Sequence, residues 1–297
     1  MKYISEFRDA RLARHAAREI AALTRGPVRI MEICGGHTHV IFKHGLMDLL
    51  PPEIGLIHGP GCPVCVTPLE RVDLAIEIAR RENVILATFA DMIRVPGSRS
   101  SLQQEKARGA DVRMVYSSLD ALELARRHPD KEVVFFAIGF ETTAPTNAMA
   151  VLLARERGLK NFSIFSNHVT VPAAVRAILA APDVRIDAFI APGHVSLVTG
   201  SRIYDFMAQE FHKPVVVCGF EPLDLLQSIA MIQRQRAEGR AEVENQYRRA
   251  VTPEGNTRAQ AVMDTVLEPC DMRWSVDCKI SRISKPLDPR TILTPGG

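Results

Sequence analysis

The chain has 297 residues, 46% hydrophobic, 24% charged and 6% aromatic, with 37 basic against 34 acidic side chains. That balance belongs to a globular protein and excludes disordered, collagen-like and coiled-coil chains, while interspersed charges offer no concentrated field for nucleic acid or an anionic membrane. A chain of about 300 residues buries roughly three quarters of its unfolded surface without disulfide staples, so its six cysteines need another explanation.

The first twenty residues predict an amphipathic helix with Ile4, Leu12, Ala16 and Ile20 on one face, and their mixed charges are unlike a signal peptide. No apolar run approaches the roughly 18 residues of a membrane span. The expectation is a cytosolic protein whose thiols are kept reduced. From residue 28 onward, β-branched runs alternate with helical periods. Strands are predicted at 28–33, 54–57, 84–89, 112–116, 133–138, 162–165, 188–190 and 215–218. Helices are predicted over 69–81, 118–128 and 148–158, then over 223–240 and after Asn256. This rhythm is that of βαβ units, an α/β protein with parallel sheets. A weak echo between FFAIGFETT (135–143) and VVVCGFEPL (215–223) favours two Rossmann-like domains. They are placed at 28–137 and 138–240, after an N-terminal helix over 1–27 and before a helical segment and short irregular tail over 241–297. The tail has no sustained apolar period and cannot build a core.

In open α/β sheets, ligands bind beyond the carboxyl ends of the strands, where helix N-termini offer free N–H groups. CGGHTH (34–39), GPGCPVC (59–65), GFETT (139–143), SNH (166–168), APGH (191–194) and GFEP (219–222) all follow predicted strands. Cys34 stands before a helix expected to start near Thr38, where the dipole lowers a thiol pKa, and Gly35 and Gly36 leave its sulfur open. A functional cysteine is favoured there over one that merely ends a strand. His37 and His39 suit a ligand, a proton donor or a helix cap equally, and His44 reads as structural.

Cys62 and Cys65 form a C-x-x-C in a loop stiffened by Pro60 and Pro63, a spacing that serves a reversible disulfide or half a metal site. No second pair of similar spacing completes a closed zinc site, since Cys270 and Cys278 are eight apart. Cys218 ends an apolar run and reads as a buried inert thiol. Glu141, Thr142 and Thr143 either orient a ligand or cap the following helix, and Glu221 reads as a first-turn acid. His168 and His194 suit function and structure equally. Phosphate-loop, dinucleotide-binding and G-x-S-x-G motifs are absent.

Taken in order, CGGHTH, GPGCPVC, GFETTAPTNA, SNHVTVP, APGHVS, VCGFEPLDLL and ENQYRRAVTPEGN closely resemble the HypD hydrogenase maturation family over about residues 28–274. The resemblance implies a scaffold on which the Fe(CN)2CO group of [NiFe]-hydrogenases is assembled. It implies a HypC-like small chaperone as partner and a HypE-like protein as cyanide donor. By motif, Cys34 is the iron-ligating thiolate, shared with a chaperone cysteine, and a soft donor suits iron with such ligands. His37 tunes or protonates the ligands, Cys62 and Cys65 are a redox dithiol, and Glu141, Thr142 and Thr143 line the same cleft. Family members also carry a cysteine-rich C-terminal part holding a [4Fe-4S] cluster, which needs four ligands. Here the expected Trp-Arg-Gly is replaced by Trp274-Ser275-Val276, and only Cys270 and Cys278 stand nearby. The expectation is a chain truncated or frame-shifted after about Trp274 that lacks the cluster. Two readings compete with the scaffold: a stand-alone thiol–disulfide oxidoreductase, and a zinc protein using Cys34, Cys62, Cys65 and His37.

Overall fold

The computed structural model describes residues 5–273 and 279–283, the last strand pair by its backbone alone. In chain order the elements are a 3-10 turn at Ser5–Arg8, α1 (Ala10–Leu23), β1 (Val28–Glu32), α2 (Gly35–Lys43), β2 (Ile54–His58), α3 (Leu69–Ala79), β3 (Val84–Thr88), α4 (Ala90–Ile93), α5 (Leu102–Ala107) and β4 (Val112–Met114). There follow α6 (Ser118–Arg127), β5 (Glu132–Gly139), α7 (Ala144–Glu156), β6 (Phe162–His168), α8 (Val171–Leu179), β7 (Ala188–Pro192), α9 (Gly193–Thr199), α10 (Asp205–Gln209) and β8 (Val215–Cys218). The last are α11 (Pro222–Ala237), β9 (Val243–Asn245), α12 (Thr257–Val266), β10 (Pro269–Arg273) and β11 (Lys279–Ile283). All eight strands expected from periodicity are present, and the protein is α/β with two parallel sheets.

The sheets do not divide the chain as 28–137 and 138–240. One has the order β2-β1-β7-β8-β9 and the other β4-β3-β5-β6. Residues 1–62 with 175–257 form a first unit, and 63–174 with 258–297 a second. The contiguous division fails because β1 pairs with β7, Ile30 opposite Ala188 and Met31 opposite Phe189. Periodicity reveals a strand but not its neighbour. The echo of 135–143 in 215–223 holds in a different sense, since β5 and β8 belong one to each sheet.

Strand β5 shows why these runs are apolar on both faces. Val134, Phe136 and Ile138 face a cluster with Val72 and Ile76 of α3, whereas Phe135 and Ala137 face Ala121 of α6 and Ile164. Parallel strands covered by helices on each side read as continuous hydrophobic runs for this reason. In the first unit Ile30, Ile190 and Val216 pack with Ile20 of α1 and Leu225, Leu226 and Ile229 of α11.

Three local expectations need correction. The N-terminal helix starts at Ala10, because the Asp9 carboxylate accepts the Arg11 and Leu12 amides at 2.7 and 3.2 Å and caps it. Leu12 is then 51% exposed rather than on the buried face with Ala16 and Ile20. The segment 241–297 is not only helix and irregular tail. Three residues, Val243–Asn245, add a parallel edge to β8, and β10 pairs antiparallel with β11. Three-residue strands are too short to show a period. The readings of Trp274, Ser275, Val276 and Cys278 lie outside the described residues, and Cys270 is placed only as a position on β10.

Candidate functional site

In an open parallel sheet the crevice for a ligand lies where the connections from two neighbouring strands leave in opposite directions. In the first sheet that point falls between β1, which continues to β2 on one side, and β7, which continues to β8 on the other. β1 ends two residues before Cys34, and β7 ends two before His194.

Cys34 is extended, with φ −124° and ψ 126°, and occupies the N-cap of α2. The helix therefore begins immediately after the cysteine rather than near Thr38. Its thiol is half-buried, and its pKa is raised, opposite to the expected direction. Burial is the largest cause and the Glu32 carboxylate adds to it, while the Gly36 and His37 amides at the helix start pull the other way and lose. A metal at this sulfur must therefore displace a proton.

His37 is fully buried in the first turn of α2. Its Nε2–H donates to the carbonyls of Cys218 and Gly219, at 3.2 and 3.0 Å, and this fixes the tautomer with Nδ1 unprotonated. That Nδ1 is buried and has no partner among the described residues. Burial lowers the imidazole pKa to about 4, so the ring is neutral at pH 7. Phe220 stacks on His37 with ring centres 4.5 Å apart, and the exposed His194 stacks on Phe220 at 3.8 Å. A methyl group at position 36 would lie 2.8 Å from the Phe220 ring, which His37 and His194 hold on its two sides, and 3.6 Å from Cys34 Sγ. Beneath the stack, the buried Asp224 accepts from Arg249, Gln246 and the Glu221 amide, so the β8–α11 turn is fixed.

The loop after β2 lies directly on the Cys34 turn. A methyl group on Gly61 would lie 2.3 Å from the Gly35 nitrogen and 2.8 Å from the Cys34 carbonyl carbon, so backbone meets backbone. Cys62 and Cys65, which follow, are joined in a disulfide, and Cys65 is exposed. Among the described residues, no three His, Cys, Asp or Glu side chains form a group able to hold a metal.

Glu141, Thr142 and Thr143 belong to the second unit, at the carboxyl end of β5. Glu141 is buried; its Oε1 accepts the Val171 amide of α8 at 2.8 Å, and Oε2 has no partner among the described residues. Burial pushes its carboxyl up to about 7. Thr143 is the N-cap of α7 but makes no side-chain cap; its hydroxyl donates to the Phe140 carbonyl at 3.3 Å. The capping alternative for this motif therefore does not hold. Thr142 is exposed. His168 is fully buried, with Ser166 Oγ on Nδ1 at 2.9 Å and the Asn147 amide on Nε2 at 2.8 Å. It is a satisfied internal histidine.

Of the remaining residues, Cys218 is buried with its thiol on the Gly219 carbonyl, in line with an inert core cysteine. Glu221 caps α11 and pairs with Arg8 at 2.6 Å. His39 and His44 are exposed, His44 at the C-cap of α2. Sequence reasoning missed Glu32, His58 and Phe220. A carboxylate closing a strand just before the glycine-rich turn was the available signal for Glu32; Phe220 carried none, because its role comes from stacking between two distant histidines.

Comparison with known proteins agrees with this arrangement of motifs. The family profile described as "HypD: Hydrogenase formation hypA family" matches residues 11–284. The chain is 58% identical over 275 residues to the hydrogenase maturation factor HypD of Rhodobacter capsulatus, covering 90% of this chain and 73% of that protein. It is 58% identical over 278 residues to the factor of the same name from Rhizobium leguminosarum bv. viciae, covering 90% and 72%. With that of Escherichia coli (strain K12) the identity is 49% over 282 residues, covering 92% and 76%. A profile spanning most of the chain and relatives of this identity show that the chain belongs to the HypD family.

Proposed function

We propose that this protein takes part in hydrogenase maturation as the scaffold on which an Fe(CN)2CO group is assembled and carried. Cys34 is the thiolate that holds the iron. The observation that carries this reading is a half-buried thiol at the crevice of the first sheet, at the N-cap of α2 and beside an opened glycine turn. One soft donor leaves the other coordination positions to cyanide, carbon monoxide and a donor from a partner. A HypC-like small chaperone supplies that donor, a HypE-like protein supplies cyanide, and the assembly works in the cytosol. No helix among the described residues is long and apolar enough to cross a membrane.

His37 serves as a neutral wall and hydrogen-bonding group, its Nε2–H spent on the β8 end and Nδ1 left for a donor. Cys62 and Cys65 are the redox pair. A dithiol reductant attacking the exposed Cys65 sulfur gives a mixed disulfide, and its second thiol then releases both cysteines. The pair gains two electrons and two protons, and the reductant becomes the disulfide. Glu141 handles protons at the second sheet, where a carboxyl near pH 7 is poised to give or take one, and Thr142 and Thr143 flank it in the motif.

Iron analysis of protein purified anaerobically with its small chaperone tests the scaffold reading. Stoichiometric iron in the wild type and none in Cys34→Ala is expected. Tightly held zinc in place of iron would instead favour the zinc reading. In the disulfide state Cys62 and Cys65 supply no thiolate, so the zinc reading needs the pair reduced. The same disulfide, with one exposed sulfur, keeps a stand-alone oxidoreductase as the second reading. Full disulfide exchange by Cys34→Ala, together with unchanged hydrogenase maturation in cells, would establish it.

A further inference from the structure

Glu32 ends β1 two residues before Cys34 and is 1% exposed. A carboxylate buried this deeply is costly unless donors surround it. Three donors do, each from a different part of the fold. Oε2 accepts the Cys34 amide at 3.0 Å. Oε1 accepts the Thr38 hydroxyl from the first turns of α2, and Nδ1–H of His58 at 2.6 Å from the end of β2. Glu32 and His58 are register partners across β1 and β2, so the sheet itself brings the imidazole to the carboxylate.

Two features separate this cluster from an ordinary cap. The Cys34 amide can only donate, and the hydroxyl and imidazole complete a set of donors that fits the ionised carboxylate. A negative charge beside a bound thiolate increases the electron density that the sulfur gives to a metal.

We propose that Glu32, clamped by Thr38 and His58, is the positioning residue of the Cys34 site: it fixes the Cys34 peptide and sets the donor strength of the sulfur toward the iron group. This rests on Cys34 being the iron ligand. The exposed face of His58, whose side chain is 40% accessible and whose ring lies 5.3 Å from that of Phe42, makes it the member of the cluster that can be altered with least disturbance of the fold.

Infrared spectroscopy of the protein purified with its small chaperone, beside iron analysis and a thermal melt of each variant, tests this. Glu32→Gln removes the charge, weakens donation from sulfur to iron and so reduces back-donation into the diatomic ligands. Its carbonyl and cyanide stretches are expected at higher frequency than the wild type. Glu32→Asp keeps the charge and is expected to return them toward the wild-type position. His58→Ala takes one donor from the carboxylate, leaves more of its charge facing Cys34 and is expected to move the bands lower. Bands unmoved in both Glu32→Gln and His58→Ala, at wild-type iron content, would overturn the proposal. Should Glu32→Gln fail to fold or to hold iron, His58→Ala decides alone: a downward shift supports the role and an unmoved spectrum ends it. Survival of the bands in Cys34→Ala would instead overturn the ligand assignment, whatever the Glu32 variants do.

Discussion

Each of the two sheets buries one histidine and one glutamate at its carboxyl edge, and they satisfy opposite members. In the first, Glu32 receives three hydrogen bonds and His37 keeps an unpartnered Nδ1. In the second, His168 is bonded at both nitrogens and Glu141 keeps an unpartnered Oε2. A buried polar atom left without a partner costs about 1 to 3 kcal/mol, so each such atom in a folded protein calls for a reason. The comparison separates residue types that the sequence presents alike: both histidines and both glutamates follow or end a strand.

The largest expected effect is on the satisfied histidine. His168→Ala removes a buried ring and leaves Asn147 and Ser166 unmatched, so a loss of about 4 kcal/mol is expected by denaturant unfolding. His37→Ala is expected to cost about 2 to 3 kcal/mol, since only one of its nitrogens is engaged, but to impair hydrogenase maturation out of proportion to stability. Equal stability losses with equal losses of maturation would break the contrast.

Next comes Gly61→Ala. Its methyl group meets backbone of Gly35 and Cys34, and neither side can swing away. A loss of about 1 to 3 kcal/mol is expected, together with altered labelling of Cys34 by a thiol reagent. At Gly139 the nearest obstacle is the Thr143 hydroxyl, 1.8 Å from the added methyl group. A side chain can turn aside more readily than backbone, so Gly139→Ala is expected to leave Cys34 labelling unchanged.

The last effect is felt only as pH changes. The folded chain holds Glu141 protonated between its ordinary value of 4.5 and about 7, where the unfolded chain has released the proton. The stability this confers is complete below pH 4.5 and is lost as pH rises to about 7, on the order of 3 kcal/mol across the interval. His37 and His168, both lowered from 6.5 to about 4, act in the opposite sense, and their stability is lost as pH falls through that range. Glu141→Gln is therefore expected to gain stability relative to the wild type between pH 5 and 7. A difference that stays level across those values would mean that the buried carboxyl is not held neutral.

The parts of this architecture that depend on local pattern were legible in the sequence, and those that depend on long-range pairing were not. Strands such as β5 and β8 announce themselves because both faces are apolar. The pairing of Ile30 with Ala188, which assigns residues 28–62 and 175–257 to one unit, has no local trace. Cys34, Cys62 and Cys65 were visible as cysteines among glycines and prolines after a strand. The sign of the Cys34 shift was not, because the helix start favours the thiolate while burial and Glu32 oppose it, and only the structure tells which is stronger. The stack of His37, Phe220 and His194 was likewise hidden, since its members are separated by more than a hundred and fifty residues between the first and the last two.

The central claim is that the Cys34 sulfur holds the iron group at the crevice of the first sheet. Infrared spectra of the wild-type protein and of Cys34→Ala, each purified anaerobically with the small chaperone, test it most directly. Two cyanide bands and one carbonyl band in the wild type, all absent from a folded Cys34→Ala, are the result this account requires. The same bands at undiminished intensity in Cys34→Ala would contradict it.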